Sequence, residues 1–507
     1  MGKKAMRQTC IALLLGSCAH WHEPMRLPSK GGPPWVEYNT RHFRLQTDLD
    51  VEPARKLAIQ MEERRSGLIS AAWHGATFEG PRTRVVAFRN SSELQTFLRR
   101  GVAGIWTLDT AGEKLMVLAA SFTDQRADLA GYGIQVFTHE LAHDLASSYF
   151  ARQPRWLSEG MARFLETMIL DEKHHKVIIG VPTRTAFRIE SLPRLFRAER
   201  EGRGIDEDEA GGLVFYLENR EGKAFNEYQK ALYRGDDPDA AWASFFPAYA
   251  TEDGQWVLQK KVSEYVKEVG YTQRGFNIGG AELIDYLGAV EERPMPEPEL
   301  RALRGELWLT LQGDDEQRAR GEVAEEARAA LAQDPSLVRA LELQLKLAET
   351  RADRLALATA AQQQRPEDFR AWMLTDEALG DDTALPAQEA ERTRALEKAV
   401  QLGPDNSWAL HRLARAYARA GRADEAFELG RKSLNIFPDS AYALDSLALV
   451  AKAWGDCGAA QRLQQMAVDR LPHLPPEFKA TSKSTSEFLA RCDAIRKRLD
   501  EYKTGCR

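Results

Sequence analysis

The 507-residue sequence predicts an α+β domain followed by an all-α solenoid of helical repeats. Three observations predict it. Strand-like and helix-like segments alternate over residues 35–125, helical periodicity replaces them over 126–290, and prolines recur at a 34-residue spacing near the C-terminal end. With 43% hydrophobic and 28% charged residues, the chain is long enough to bury two or three separate cores. A formal net charge of -6, without long runs of one sign, supplies no general attraction to nucleic acid or anionic lipid, so no nucleic-acid partner is expected. Five cysteines, Cys10, Cys18, Cys457, Cys492 and Cys506, are too few and too scattered for a disulfide scaffold, and no Cys-x-x-Cys pair marks a cysteine metal site. A bridge between Cys492 and Cys506 would need a proximity that sequence alone does not give.

The chain opens with a basic start, Lys3, Lys4 and Arg7, and an apolar run, Ile11 to Leu15, too short to span a bilayer. The run ends in Leu15-Gly16-Ser17-Cys18, which resembles the lipobox of bacterial lipoproteins, where cleavage before the cysteine precedes acylation of its thiol. That resemblance implies a signal peptide over 1–17, a lipid anchor on Cys18 and a cell-envelope location with the membrane as a partner. Ala19, standing where an inner-membrane lipoprotein would carry aspartate, points to the outer membrane. Residues 18–34, rich in Pro and Gly, read as a tether.

Residues 36–47 carry the aromatic and β-branched content of a strand, with Phe43, Leu45 and Thr47 alternating. Leu57, Met61 and Leu68 sit at helical spacing in 53–73, Val85 to Phe88 reads as a short buried strand, and Ser92 followed by Glu93 opens a helix. Two more strands are expected at 102–108 and 115–119, before the helical part. The charged, proline-rich stretch 291–299 reads as a linker.

Beyond it, Pro404, Pro438 and Pro472 keep a 34-residue period, and the same offset pairs Leu413 with Leu447, Ala414 with Ala448, Gly421 with Gly455 and Ala426 with Ala460. This pattern resembles the tetratricopeptide repeat, two antiparallel helices with small residues at their close approach, Gly at the turn and Pro after the second helix. Pro335 and Pro366 mark earlier, less regular units. Four or five repeats are expected over 300–480, with a last helix over 481–507.

Chemistry concentrates in His139-Glu140-Leu141-Ala142-His143. Four apart on a helix, His139 and His143 share a face and can bind one cation through neutral nitrogens, while Val136, Phe137, Leu141, Ala142 and Leu145 bury the helix. Glu140, beside the first ligand, is placed to take a proton from a zinc-bound water. Zinc needs a third protein ligand, and Trp156-Leu157-Ser158-Glu159-Gly160-Met161-Ala162 supplies Glu159 on a helix that Pro154 can open. Glu166, seven residues on, shares its face and can orient a ligand histidine, as can Asp144.

Together these segments resemble the gluzincin metallopeptidases, notably the aminopeptidase N type and the bacterial peptidase MA-like group. The resemblance covers 36–290, with specific motifs only over 137–166. It implies a zincin-like fold, one zinc ion held by His139, His143 and Glu159, Glu140 as catalytic base and acid, and an edge strand that binds extended peptide, a part here offered to Leu115-Met116-Val117-Leu118. The Gly-x-Met-x-Asn exopeptidase signature is missing, which favours an endopeptidase. Tyr216, Tyr228, His174 and His175 are the candidates for stabilising the oxyanion, Tyr216 foremost because its helix, 211–217, is apolar. The function expected is therefore zinc-dependent peptide hydrolysis, with the repeats recruiting a protein substrate or partner; the alternative is a catalytically silent lipoprotein scaffold whose repeats bind proteins.

Overall fold

A computed structural model describes residues 25–73, 78, 80–98, 102–119, 132–171, 176–180, 187–267, 274–277, 290–311, 316–380, 386–471 and 483–505. The leader, Cys18, His174, His175, Pro472 and Cys506 lie outside the described residues. Residues 36–47, expected as one strand, instead fold back as a hairpin of β1 (Val36–Asn39) and β2 (Phe43–Thr47). The cause is a polar turn tied to the next helix: Glu62 accepts hydrogen bonds from the Thr40 hydroxyl at 2.6 Å and the His42 amide at 2.8 Å. Helix α1 (Val51–Ala72) then crosses to β3 (Thr83–Phe88), which lies parallel to β2. After α2 (Ser91–Phe97), capped by the Asn90 side chain, come β4 (Gly104–Leu108) and β5 (Lys114–Ala119).

The sheet runs β4-β5-β3-β2-β1-β9, parallel through β2, β3 and β5 and antiparallel at both margins. Its ninth strand corrects the sequence reading. Part of the segment expected as a linker over 291–299 is β9 (Glu291–Pro294), which pairs with β1, so the N-terminal sheet is finished by residues adjoining the solenoid. Strands β3 and β5 are buried on both faces, which is why they read as continuous apolar runs. Val85, Ala87, Met116 and Leu118 face a core shared with α1 and α3 (Tyr132–Tyr149). Val86, Phe88, Leu115 and Val117 face a second core, where α10 (Glu297–Thr310) lays down Leu300, Leu303 and Leu307. Each such leucine contributes about 1.5–3 kcal/mol by leaving water. Met25 and Leu27 are buried in the same core, so the tether expected over 18–34 is part of the fold from Met25 onward.

Below the sheet lie α4 (Arg155–Leu165), α5 (Leu192–Arg200), α6 (Glu207–Arg220), α7 (Gly222–Arg234), α8 (Pro238–Phe245) and α9 (Glu252–Tyr265). This part, expected as wholly helical, also holds a small antiparallel sheet of β6 (Ile169–Asp171), β7 (Lys176–Ile179) and β8 (Arg274–Asn277).

The solenoid continues from α10 as α11 (Glu316–Gln333), α12 (Val338–Leu347), α13 (Arg351–Gln364), α14 (Phe369–Leu379), α15 (Pro386–Leu402), α16 (Ser407–Arg419), α17 (Ala423–Ile436), α18 (Ala441–Ala453) and α19 (Cys457–Asp469). Helix α20 (Lys483–Gly505) closes it. The 34-residue pairs do what their chemistry asks. Gly421 and Gly455 turn the chain at φ 78° and 79°, and Ala414, Ala448, Ala426 and Ala460 are fully buried where helices meet. Cys492 is a buried free thiol, so it forms no bridge to Cys506; Cys457 is the disulfide-bonded one. Among the described residues no helix is long and apolar enough to cross a membrane.

The solenoid is pinned to the β4–β5 turn. Gly112, at φ 76°, lies under the Trp408 ring so closely that a Cβ there would sit 2.3 Å from it, and the Asn406 amide donates to the Ala111 carbonyl at 3.2 Å. Around this contact is a buried ionic cluster. Arg84 of β3 donates to Asp109 at 2.7 Å and grips both oxygens of Glu306 on α10 at 2.8 and 2.9 Å. Arg370 of α14 meets Asp109 at 2.6 Å and also Glu113. Burial would raise the Glu113 carboxyl, but Arg370 and then Arg84 override it and hold its pKa at about 2.

Replacing Arg370 by Ala leaves Glu113 buried without its paired cation and Asp109 with Arg84 alone, so stability to urea should fall by about 3–5 kcal/mol. A depressed carboxyl stabilises the fold above its unfolded pKa and loses that contribution as pH falls. The melting temperature should therefore drop as pH is lowered from 4.5 toward 2, and Glu113→Gln should flatten that part of the curve.

Candidate metal centre

Helix α3 takes its orientation from its apolar face. Phe137, Leu141 and Leu145, at four-residue steps, are buried under the sheet, and Phe137 meets Phe43 edge to face at 5.8 Å. His139, Glu140 and His143 consequently line a cleft of about 1170 Å³ between the N-terminal domain and the solenoid. Helix α4 enters from below. Its first amides, on Arg155 and Trp156, donate to the Glu199 carboxylate at 3.0 and 3.2 Å, which satisfies donors that every helix start leaves open. Gly160 permits the close packing of α4 on α6: a Cβ there would stand 2.5 Å from the Ala210 carbonyl oxygen. This seats the neighbouring Glu159 in the cleft.

The three expected ligands come together. Their donor atoms all lie within 4.8 Å of one another, and Glu159 Oε2 stands 3.5 Å from Nε2 of both His139 and His143. At 3.5 Å these are poor hydrogen bonds. Two tetrahedral ligands at ~2.05 Å from one zinc stand ~3.3 Å apart, so the spacing fits a shared cation well. The outer nitrogens are engaged as well: His139 Nδ1 donates to Glu166 Oε2 at 2.9 Å, and His143 Nδ1 lies 2.9 Å from the Ser158 hydroxyl. With Nδ1 as donor, both Nε2 atoms keep their lone pairs for the cation. Glu166 thus stands where it can orient His139, while the orienting role of Ser158 has no counterpart in the sequence reading.

Asp144 does not reach either histidine. It pairs with Lys114 at 2.6 Å and accepts from the Thr83 hydroxyl at 2.8 Å, so it ties α3 to β5 and β3. The edge strand is also different from the one expected. Leu115 to Leu118 lie in β5, buried between β3 and β4, whereas β4 is the margin and all five of its residues line the cleft. Gly104 brings β4 against α3, with a Cβ placed only 3.4 Å from the Glu140 side chain, and the Trp106 amide donates to Glu140. Tyr216 and Tyr228 belong to the hydrophobic core and do not line the cleft: Tyr216 faces Glu221, and Tyr228 stacks on Trp156.

The electrostatics favour a cation. Burial opposes a proton on His139, yet Glu159 and Glu166, followed by Glu140, push its pKa up to about 10. Burial would raise Glu159, but hydrogen bonding to His139 and His143 holds it well below the usual carboxylate range. For Glu140, burial wins over the nearby histidines and raises the carboxyl, the direction a group that must take up a proton requires. Glu166→Gln should weaken zinc binding by about 10–100-fold in a chelator competition assay. Asp144→Asn should lower thermal stability and leave zinc affinity unchanged.

Residues 395–428 match the tetratricopeptide repeat family. No curated protein matches the chain. Among solved structures, MamA is 17% identical over 34% of this chain and 91% of its own, with a TM-score of 0.27. A thermophilic TPR protein of Thermus thermophilus is 16% identical over 38% and 99%, at 0.28. PilW, a widely conserved type IV pilus biogenesis factor, is 16% identical over 41% and 92%, at 0.28. Within the solenoid, residues 395–428 are thus a tetratricopeptide repeat.

Proposed function

We propose that the chain is a zinc-dependent endopeptidase of the gluzincin kind, anchored in the cell envelope through Cys18, whose repeats present the substrate. The observation that carries this reading is the convergence of His139, His143 and Glu159 on one point beside the buried carboxyl of Glu140. Zinc, when bound there, would polarise the scissile carbonyl and make water acidic enough to attack near neutral pH. Glu140 takes the proton of the attacking water and hands it to the departing amine nitrogen. The Trp106 amide keeps the Glu140 carboxyl in place, and Glu166 and Ser158 keep the two imidazoles turned. Strand β4, hydrogen-bonded on one side by β5, offers its other side to an extended peptide as an added strand. The endopeptidase assignment rests on the missing exopeptidase signature.

A second reading has an observation in its favour: the family match falls on the repeats alone. In that case the protein is a scaffold and the histidine cluster has no turnover. Glu140 speaks for the enzyme, since a structural zinc site has no need of a base in the cleft. The full chain should bind one zinc and cleave members of a peptide library, and Glu140→Gln should keep the metal while losing about 10²–10⁴-fold in rate. One equivalent of zinc with equally inert wild type and Glu140→Gln would establish the scaffold instead. Loss of acyl labelling in Cys18→Ala tests the anchor.

A further inference from the structure

The cleft has a second wall. Opposite the histidines it is lined by α16, α18 and α20, and on α16 the lining residues Trp408, Arg412, Arg415 and Arg419 fall at steps of three or four on one helical face, with His411 beside them. From the solenoid side seven arginines reach the lining against two carboxylates, Asp376 and Asp439. Two more carboxylates stand behind it: Asp445 pairs with Arg415 at 2.6 Å and with Arg498 at 2.6 and 2.8 Å, and Glu389 lies 3.5 Å from Arg419. Cations still outnumber anions seven to four, in a chain whose net charge is -6. The positive wall is therefore a local feature and not a consequence of composition.

The wall is also braced by ring contacts and carries one buried atom without a partner. Arg412 lies over the Trp408 ring at 5.4 Å, and His411 stacks on Tyr442 at 6.1 Å. His411 is only 7% exposed, yet its Nδ1 is buried without a hydrogen-bond partner. Buried polar atoms of this kind are uncommon unless a ligand completes them. The guanidiniums are held by acidic partners, Arg392 and Arg412 by Asp376, Arg470 by Asp439 at 3.2 Å, and Arg415 and Arg498 by Asp445, and each presents the planar N–H fork that pairs with carboxylates.

We propose that this arginine wall recognises carboxylates, so that the cleft takes acidic peptides, held between α16 and the β4 edge. The inference rests on the peptidase reading for the fate of the peptide, but not for its binding. A peptide is the favoured occupant because the facing wall offers a strand edge, β4, to which an extended backbone can add hydrogen bonds. The carboxylates can come from Asp and Glu side chains or from a free chain end.

The test is fluorescence anisotropy with the full-length Glu140→Gln protein, which keeps the cleft and removes turnover. Labelled decapeptides carry Asp/Glu or their Asn/Gln isosteres at alternate positions, each with a free or an amidated C-terminus. The acidic peptide should bind about tenfold or more tightly than its amide isostere, and added salt should narrow the difference. Amidation identifies the source: an unchanged affinity of the acidic peptide assigns recognition to side chains, and weaker binding of both peptides once amidated assigns it to the chain end. Arg419→Gln with Arg491→Gln, both at outer positions of the wall, should reduce the preference while circular dichroism and binding of the neutral peptide stay unchanged. Equal affinity for acidic and amide peptides together with no effect of amidation overturns the proposal, as does tighter binding of a single-stranded oligonucleotide. Acidic preference without hydrolysis in the wild type would leave this wall standing and remove the peptidase reading; hydrolysis without acidic preference would do the reverse.

Discussion

The buried ionic cluster at the β4–β5 turn is the constraint on which the cleft depends. Arg84, Asp109, Glu113, Glu306 and Arg370 come from β3, the turn, α10 and α14, so sheet and solenoid share one set of charges. A cluster of this kind adds little over well-packed apolar residues, but displacing one element would strand a charge in the interior at a cost of several kcal/mol. It therefore favours a single docking of the solenoid on the sheet. The Trp408 ring over Gly112 adds a steric limit to the electrostatic one.

That docking decides the geometry of both cleft walls. The strand that leaves the cluster at one end, β4, is the strand whose Gly104 and Trp106 touch Glu140. The helix that follows the docking contact in sequence, α16, carries the arginine face. A histidine cluster on α3 and an arginine face on the solenoid are thus held on opposite walls of one cleft by that contact. The same logic explains β9 and α10, which complete the N-terminal sheet and cap its outer face before the repeats begin.

Within the site, two glycines matter more than their size suggests. Gly160 lets α4 lie on α6, and Gly104 lets β4 lie on α3; in both places backbone approaches so closely that a methyl group would collide. These contacts set the positions of Glu159 and Glu140, neighbouring carboxylates shifted in opposite directions. One is held charged by two imidazoles, and the other is pushed toward its protonated form by burial.

What was readable from the sequence was whatever a short-range rule governs. The four-residue spacing of His139 and His143, the glutamates at 159 and 166, the buried runs of β3 and β5 and the 34-residue repeat all follow from the periods of helix and strand. Family resemblance grouped Glu159 with the histidines, and the fold places it 3.5 Å from both. What depended on long-range contacts was not readable. Asp144 has the right spacing to assist a ligand but faces Lys114 and Thr83, a choice made by how α3 sits on the sheet. Tyr216 and Tyr228 are core residues because α6 and α7 are turned inward, and β4 rather than β5 is the edge because strand order is independent of chain order. The sequence by itself determined the spacing of the histidines and glutamates and the repeat period, since each is written locally; only the tertiary structure decided the edge strand, the partner of each histidine and the arginine wall, since these depend on how separate elements pack together.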